Sequence, residues 1–445
     1  MSRQTTPHQI KILSVKISPA KNLNGEISLP GDKSISHRSV MLASIADGES
    51  RISNFATSAD CASTIDCFRK LGITIEREDD RVRVAGKGKL GLSRPTEHLD
   101  CGNSGTTMRL MAGILAGQRF ESILTGDDSL QGRPMKRVIE PLKAMGASIE
   151  SIDGKAPLTV HGHSLSAIQY ELPVASAQVK SCTLLAGLYA DGRTTVVEST
   201  PTRDHTERML KGFGVDVETK HSDGGRREIS LDGAAQLRAT DVNVPGDISS
   251  AAFFLVAAAC LDGSELRLAN VGINPTRAAV VNILQRLGAR VEIENERESS
   301  GEPVADLVVR GGIDDSSSSE NVLRGEVIAN LIDEIPILAV FGTQLRDGLE
   351  VRDAGELRVK ESDRITSIVK NLRAMGAEVE EFDDGFCVER STLRGTTVNS
   401  FGDHRIAMAF AVAGLFADGD TEIIDADCAA VSFPAFFDVL SEVTR

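Results

Sequence analysis

Lys33, Ser34 and Arg38 stand within one short stretch, Gly31-Asp32-Lys33-Ser34-Ile35-Ser36-His37-Arg38. An ammonium, a hydroxyl and a guanidinium so close together are donors for an anion. The chain repeats the device. Gly102-Asn103-Ser104-Gly105-Thr106-Thr107-Met108-Arg109 is a glycine- and hydroxyl-rich turn that lets an anionic oxygen approach the backbone. Arg133 follows Gly132, Ser176 and Gln178 precede Lys180, and Arg203 precedes Asp204-His205. Lys360-Glu361-Ser362-Asp363-Arg364 and Asp403-His404-Arg405 complete the set. Asp333 and Glu361 lie beside these cations and can act as general base and general acid if their neighbours tune them. Taken singly, each segment is a capped or salt-bridged surface turn, and Glu361 pairs with Lys360, Arg364 or Arg358. Their equivalent positions in a repeat favour one shared anion site.

The elements that must position these groups recur six times. Units begin near Gly31, Gly102, Ala175, Pro245, Ala329 and Gly402, each with a polar or basic start, an Ala-rich apolar helix, a turn and a strand. Gly31–Arg38 itself follows a strand, Glu26-Ile27-Ser28-Leu29, ended by Pro30. A second helix in five units ends on a basic turn and a glycine: Gly72, Gly146, Gly214, Gly288 and Gly376. That is the signature of a left-handed cap. Helix starts carry free N–H groups and a positive dipole end, so a repeated helix start is a repeated anion site. A period of roughly 70 residues exceeds that of solenoids and predicts two closed lobes of three βαβαββ units each. The division expected is 26–241 for one lobe and 1–25 plus 242–445 for the other. A first strand is expected over Lys11–Ser18, and surface loops over Glu294–Pro303 and Asp314–Asn321.

Composition bounds the rest. The 445 residues are 41% hydrophobic and 25% charged with a net charge of −15, a globular balance that argues against a nucleic-acid surface. No apolar run suits a membrane span. The polar Met1–Ile10 lacks a signal-peptide core, so a cytoplasmic protein is expected. Seven scattered cysteines read as reduced thiols. Gly86-Lys87-Gly88-Lys89-Leu90-Gly91 fits a dinucleotide motif, but no apolar helix follows it. His161-Gly162-His163 has no partner at ligand spacing and reads as a loop. Neither metal nor organic cofactor is expected.

Together these motifs resemble the 5-enolpyruvylshikimate-3-phosphate synthases of the enolpyruvyl transferase family, over about residues 15–440. Ser176–Lys180 and Asn274-Pro275-Thr276-Arg277 are similar to its second bacterial class. The resemblance implies an α/β fold of the inverse-barrel type, two hinged lobes with helix N-termini facing the cleft, and two chain crossings. It implies transfer of the enolpyruvyl group of phosphoenolpyruvate to the 5-hydroxyl of shikimate 3-phosphate, on the way to chorismate and the aromatic amino acids. Lys33, Ser34, Arg38, Ser176, Gln178 and Arg203 would hold shikimate 3-phosphate, with Asp333 and Lys360 on its hydroxyls. Lys33, Gly105, Arg133, Gln178, Arg364, His404 and Arg405 would hold phosphoenolpyruvate. Asp333 would be the base, Glu361 the proton donor, and the enzyme a monomer without partners beyond its two substrates.

Val431 stands where many relatives carry lysine before Ser-Phe-Pro, which removes one expected phosphoenolpyruvate contact. The sister transferase acting on a UDP-amino sugar is the nearest rival. It usually has a cysteine in the loop that here, Thr125–Gly132, contains none. A non-catalytic phosphoanion-binding protein on the same fold is the other alternative, disfavoured by the two acids.

Overall fold

The computed structural model describes residues 14–222, 225–314 and 321–444. Six helices are buried almost all round: Lys33–Ile45, Gly105–Ala116, Ala177–Gly187, Ile248–Cys260, Ile335–Gly342 and His404–Gly414. Their small, apolar residues allow this, since a helix without a polar stripe must be enclosed. Where Gly105–Ala116 meets Ala177–Gly187, a Cβ on Gly113 would lie 2.3 Å from the Cys182 carbonyl oxygen, so only glycine permits that approach. Outside them lie five four-stranded sheets and one of three strands, whose alternating burial leaves one face to water. Helices lie within and sheets without, around two separate hydrophobic cores.

The amphipathic second helices close the units: Ala59–Lys70, Lys136–Ala144, His205–Gly212, Ala279–Arg286, Arg364–Ala374 and Phe436–Val443. Gly72, Gly146, Gly214, Gly288 and Gly376 follow five of them at φ between +85° and +94°.

Each lobe takes a strand from the other's side of the expected boundary. Asn24–Ser28 pairs in parallel with Glu265–Gly272, Ile27 opposite Leu268, and Ile27 and Leu29 join the core of the second half. Val242–Asn243 pairs in parallel with Asp47–Ser53, and Val242 and Val244 join the core of the first. The two cores therefore exchange chain on either side of Pro30 and Pro245. An alternating pattern marks a strand but not its partner. The two crossings lie side by side: Gly31 and Gly246 form an antiparallel bridge, Asp32 N–H donates to Pro245 O at 2.8 Å, and Asp247 N–H to Pro30 O at 3.0 Å.

Ser14–Ile17, the described part of the expected first strand, pairs antiparallel with Thr421–Ile424 and completes the three-stranded sheet. Glu294–Pro303 is not a loop. It belongs to a long hairpin, Ala289–Ser299 and Glu302–Ile313, whose tip reaches the other lobe: Asn243 N–H donates to Ser300 Oγ at 2.9 Å. Of Asp314–Asn321, residues 315–320 lie outside the described residues. His161 ends the strand Lys155–His161 rather than lying in a loop, between Glu121 at 3.1 Å and Glu150 at 3.2 Å. Among the described residues no group of histidine, cysteine and acid side chains could hold a metal, and no helix could cross a membrane. All seven cysteines are free.

Candidate active site

The starts of the six inner helices converge on one cleft between the lobes, of about 250 Å³. Each start is shaped by its own residues. Asp32, Ser104, Ser176, Asp247 and Asp403 are N-caps whose side chains accept from backbone N–H groups two or three residues on. This leaves the residues beside them pointing into the cleft. All fourteen positions singled out from the sequence line it: Lys33, Ser34, Arg38, Gly105, Arg133, Ser176, Gln178, Arg203, Asp333, Lys360, Glu361, Arg364, His404 and Arg405. His37 turns away into the core, with Nδ1 2.7 Å from Thr64 Oγ1. Val431 ends the turn Ala426–Val431 and is not among the lining residues.

The field inside opposes that of the whole molecule. Ten lysines and arginines and five acids line the cleft of a chain whose net charge is −15. Lys33 Nζ is 2.9 Å from Asp60, which keeps it charged against burial. Arg38 donates to Thr206 Oγ1 at 2.7 Å and to Ser181 Oγ at 2.9 Å. Gln178 Oε1 accepts from Arg109 at 2.5 Å while its Nε2 donates to Thr106 Oγ1 at 3.0 Å. Arg133 donates to Asn103 Oδ1 at 2.7 Å.

The two acids bridge the lobes. Asp333 Oδ2 accepts from Arg203 at 2.7 Å, and Arg364 and Arg405 approach its other oxygen at 3.5 and 3.7 Å. Burial opposes its ionisation, but Arg405, Arg203, Lys360 and Arg364 hold it well below the usual carboxylate range. Glu361 accepts from Arg364 at 2.6 Å and lies 3.6 Å from Arg133. It too is held ionised against burial, chiefly by Arg364. Lys360 pairs with Glu356 at 3.1 Å. His404 is buried, and burial followed by the charge on Lys33 pushes its pKa down to about 4, so it is neutral at pH 7. A larger cavity of about 790 Å³ lies elsewhere, beside the His205–Gly212 helix and the hairpin tip, and its charged lining is mainly acidic. The cations converge on the cleft instead.

The family described as EPSP synthase (3-phosphoshikimate 1-carboxyvinyltransferase) matches residues 17–440. The chain belongs to this EPSP synthase family. It is 52% identical over 434 residues to the 3-phosphoshikimate 1-carboxyvinyltransferase of Salinibacter ruber, covering 96% of this chain and 99% of that one. It is 51% identical to the enzyme of that name from Koribacter versatilis, over 97% and 99%. Among solved structures, EPSP synthase from Acinetobacter baumannii superposes with a TM-score of 0.84 at 41% identity, over 97% and 98% of the two chains.

Several lining residues carried no assignment from sequence. Arg109 stood in a motif without a role, and Arg277 only marked the resemblance. Asp60, Arg137 and Glu356 stand at the second residue of their helices and Asp247 caps one, places where a charged residue is common and gave no signal. Only its place beside Lys33 distinguishes Asp60.

Proposed function

We propose that the chain transfers the enolpyruvyl group of phosphoenolpyruvate to the 5-hydroxyl of shikimate 3-phosphate, releasing phosphate, with the residue roles that follow. The observation that carries this reading is the enclosure of two carboxylates, Asp333 and Glu361, by ten cations at converging helix starts. A reaction that joins two phosphorylated carboxylic acids needs such an excess. Preorganised donors around developing charge are also the main catalytic device open to side chains.

Lys33, Ser34, Arg38, Ser176, Gln178 and Arg203 hold shikimate 3-phosphate, with Asp333 and Lys360 at its hydroxyls. Lys33, Gly105, Arg133, Gln178, Arg364, His404 and Arg405 surround phosphoenolpyruvate. Asp333 takes the 5-hydroxyl proton as that oxygen attacks C2, and Glu361 gives a proton to C3. The tetrahedral product then loses phosphate from C2 and a proton from the new methyl group, which restores the double bond.

Glu361 must be protonated to donate. Anionic substrate on Arg364 and Arg133 cancels the cations that hold it ionised, which raises its pKa when the substrate is in place. The same exchange frees Asp333 from Arg203. Binding across both lobes favours their closure, which expels water and strengthens each contact. The decisive assay is phosphate release from phosphoenolpyruvate. Release that depends on shikimate 3-phosphate is expected; release without it, or none with it, overturns the reading.

A further inference from the structure

Arg277 is 3% exposed and sits where the two chain crossings touch. The crossings are near copies, Pro30-Gly31-Asp32 and Pro245-Gly246-Asp247, each ending in an aspartate that caps an inner helix. The symmetry brings two carboxylates together from different lobes. Asp247 Oδ2 also accepts from Lys33 N–H at 3.4 Å, so it touches the turn that carries Lys33. Between them lies the Arg277 guanidinium, 3.6 Å from Asp247, 4.0 Å from Asp32 and 3.8 Å from Asp333. Its Nη2 donates to Ser249 Oγ at 2.6 Å, while Nε and Nη1 have no hydrogen-bond partner among the described residues. Such a group holds its neighbours by charge rather than by directed bonds. The turn that delivers it is pinned to both lobes: Asn274 Nδ2 donates to Asp204 Oδ1 of the other lobe at 2.7 Å and to Glu302 Oε2 of its own at 2.8 Å.

We infer that Arg277 is a positioning residue of the hinge: it offsets the mutual repulsion of Asp32 and Asp247, and so holds the Lys33 turn of one lobe in register with Asp333 of the other. Burial and the charge on Asp32 already push Asp247 above the usual carboxylate range, and Arg277 and Arg405 resist this. The charged groups facing Asp247 are Asp32 and Lys33 on the first crossing, Arg277 on the 274–277 turn and Arg405 on the His404–Gly414 helix. Without Arg277 the two carboxylates face each other with one fewer counter-charge, and the Lys33 turn shifts.

The test compares the wild type with Arg277→Met, Asp247→Asn and the double variant. Its activity arm rests on the function proposed above; its thermal arm does not. Misplacement on the order of an ångström costs roughly 10²-fold, so Arg277→Met should lose about 10–100-fold in kcat. Asparagine caps a helix as well as aspartate does. Removing the Asp247 charge in the double variant should therefore return about tenfold or more of the loss and raise the thermal midpoint above that of Arg277→Met. The deficit of Arg277→Met should also shrink as pH is lowered, because protonating Asp247 relieves the same repulsion. A merely space-filling arginine would show neither rescue nor pH trend. If Arg277→Met stays within about twofold of wild type, or if the double variant is no faster and no more stable than the single, the inference is wrong. Should Arg277→Met fail to fold, the double variant must fold; its failure also overturns the inference. A wild type that does not turn over would sink the proposed reaction, leaving the thermal midpoints to decide the hinge.

Discussion

Between Lys33 and Arg203 the cleft is lined by six cations and one acid, Asp60; between Asp247 and Arg405 it is lined by four cations and four acids. The scaffold is the same on both sides, three inner helices whose starts face the cleft, all capped by a side chain except Ile335–Gly342. The first lobe therefore offers a cluster of cations, and the second offers two acids, Asp333 and Glu361, held ionised by neighbouring arginines. Cross-lobe pairs, Arg203 with Asp333 at 2.7 Å and Arg133 with Glu361 at 3.6 Å, set cations of one lobe against acids of the other. The repeat supplies positions, and divergence within it supplies chemistry. Under the proposed roles both proton-transfer acids, Asp333 and Glu361, lie in the second lobe, while six of the ten lining cations lie in the first.

The sharpest break of that division is to remove an acid. Glu361→Gln and Asp333→Asn keep shape and remove the ability to give or take a proton, and each should lower kcat by ~10²–10⁴-fold with little change in the binding of shikimate 3-phosphate. Equal losses in affinity and in kcat would mean that the second lobe binds rather than transfers protons.

Next in size is the cation cluster. Lys33→Ala should lose roughly 2–5 kcal/mol of contact, ~10²–10³-fold in rate or more, in a protein that still folds, because Lys33 lies in a helix-start turn. Steady-state kinetics beside a circular dichroism spectrum decide this. Near-normal kcat and KM in a folded variant would remove Lys33 from any role in that cluster.

A pH titration of stability compares the lobes through their buried histidines. Burial pushes His37 in the first lobe down to about 3 and His404 in the second to about 4, against about 6.5 when unfolded. The unfolded chain thus binds protons that the folded one refuses. Stability contributed by neutral histidine is complete above pH 6.5 and is lost as pH falls toward 4, by roughly 1.4 kcal/mol per pH unit for each ring. His37→Gln should reduce the slope of unfolding free energy against pH in that window by about one proton. An unchanged slope would show that His37 titrates normally.

The smallest effect concerns one methyl group beside the cation cluster. A Cβ on Gly105 would lie 3.0 Å from Arg109 Nη1 and 3.7 Å from Arg133 Nη1, contacts that long side chains can relieve by a few tenths of an ångström. Gly105→Ala should fold and turn over. Glyphosate, the longer competitor of phosphoenolpyruvate in this family, should lose more than the substrate does. The ratio of its Ki to the phosphoenolpyruvate KM should rise, and a ratio that stays level or falls would place Gly105 away from the ligand.

Particular residues show how far the linear chain reaches. Gly72, Gly146, Gly214, Gly288 and Gly376 were legible because a left-handed cap is a local matter of one residue's steric freedom. Lys33, Arg133, Arg203, Glu361 and Arg405 were legible because helix starts in equivalent positions of a repeat must face alike. Glu26–Leu29 read as a strand, yet the partner of the strand found there, Asn24–Ser28, is Glu265–Gly272, far along the chain. Nothing in an alternating pattern distinguishes that partner from the nearer Asp47–Ser53. Asp60 beside Lys33 and Arg277 among four acids were equally unreadable. Backbone conformation and helix facing depend on neighbours within a turn, so the sequence alone determined them. Strand exchange between lobes and the pairing of buried charges depend on which distant segments share a core, and only the tertiary structure decided those.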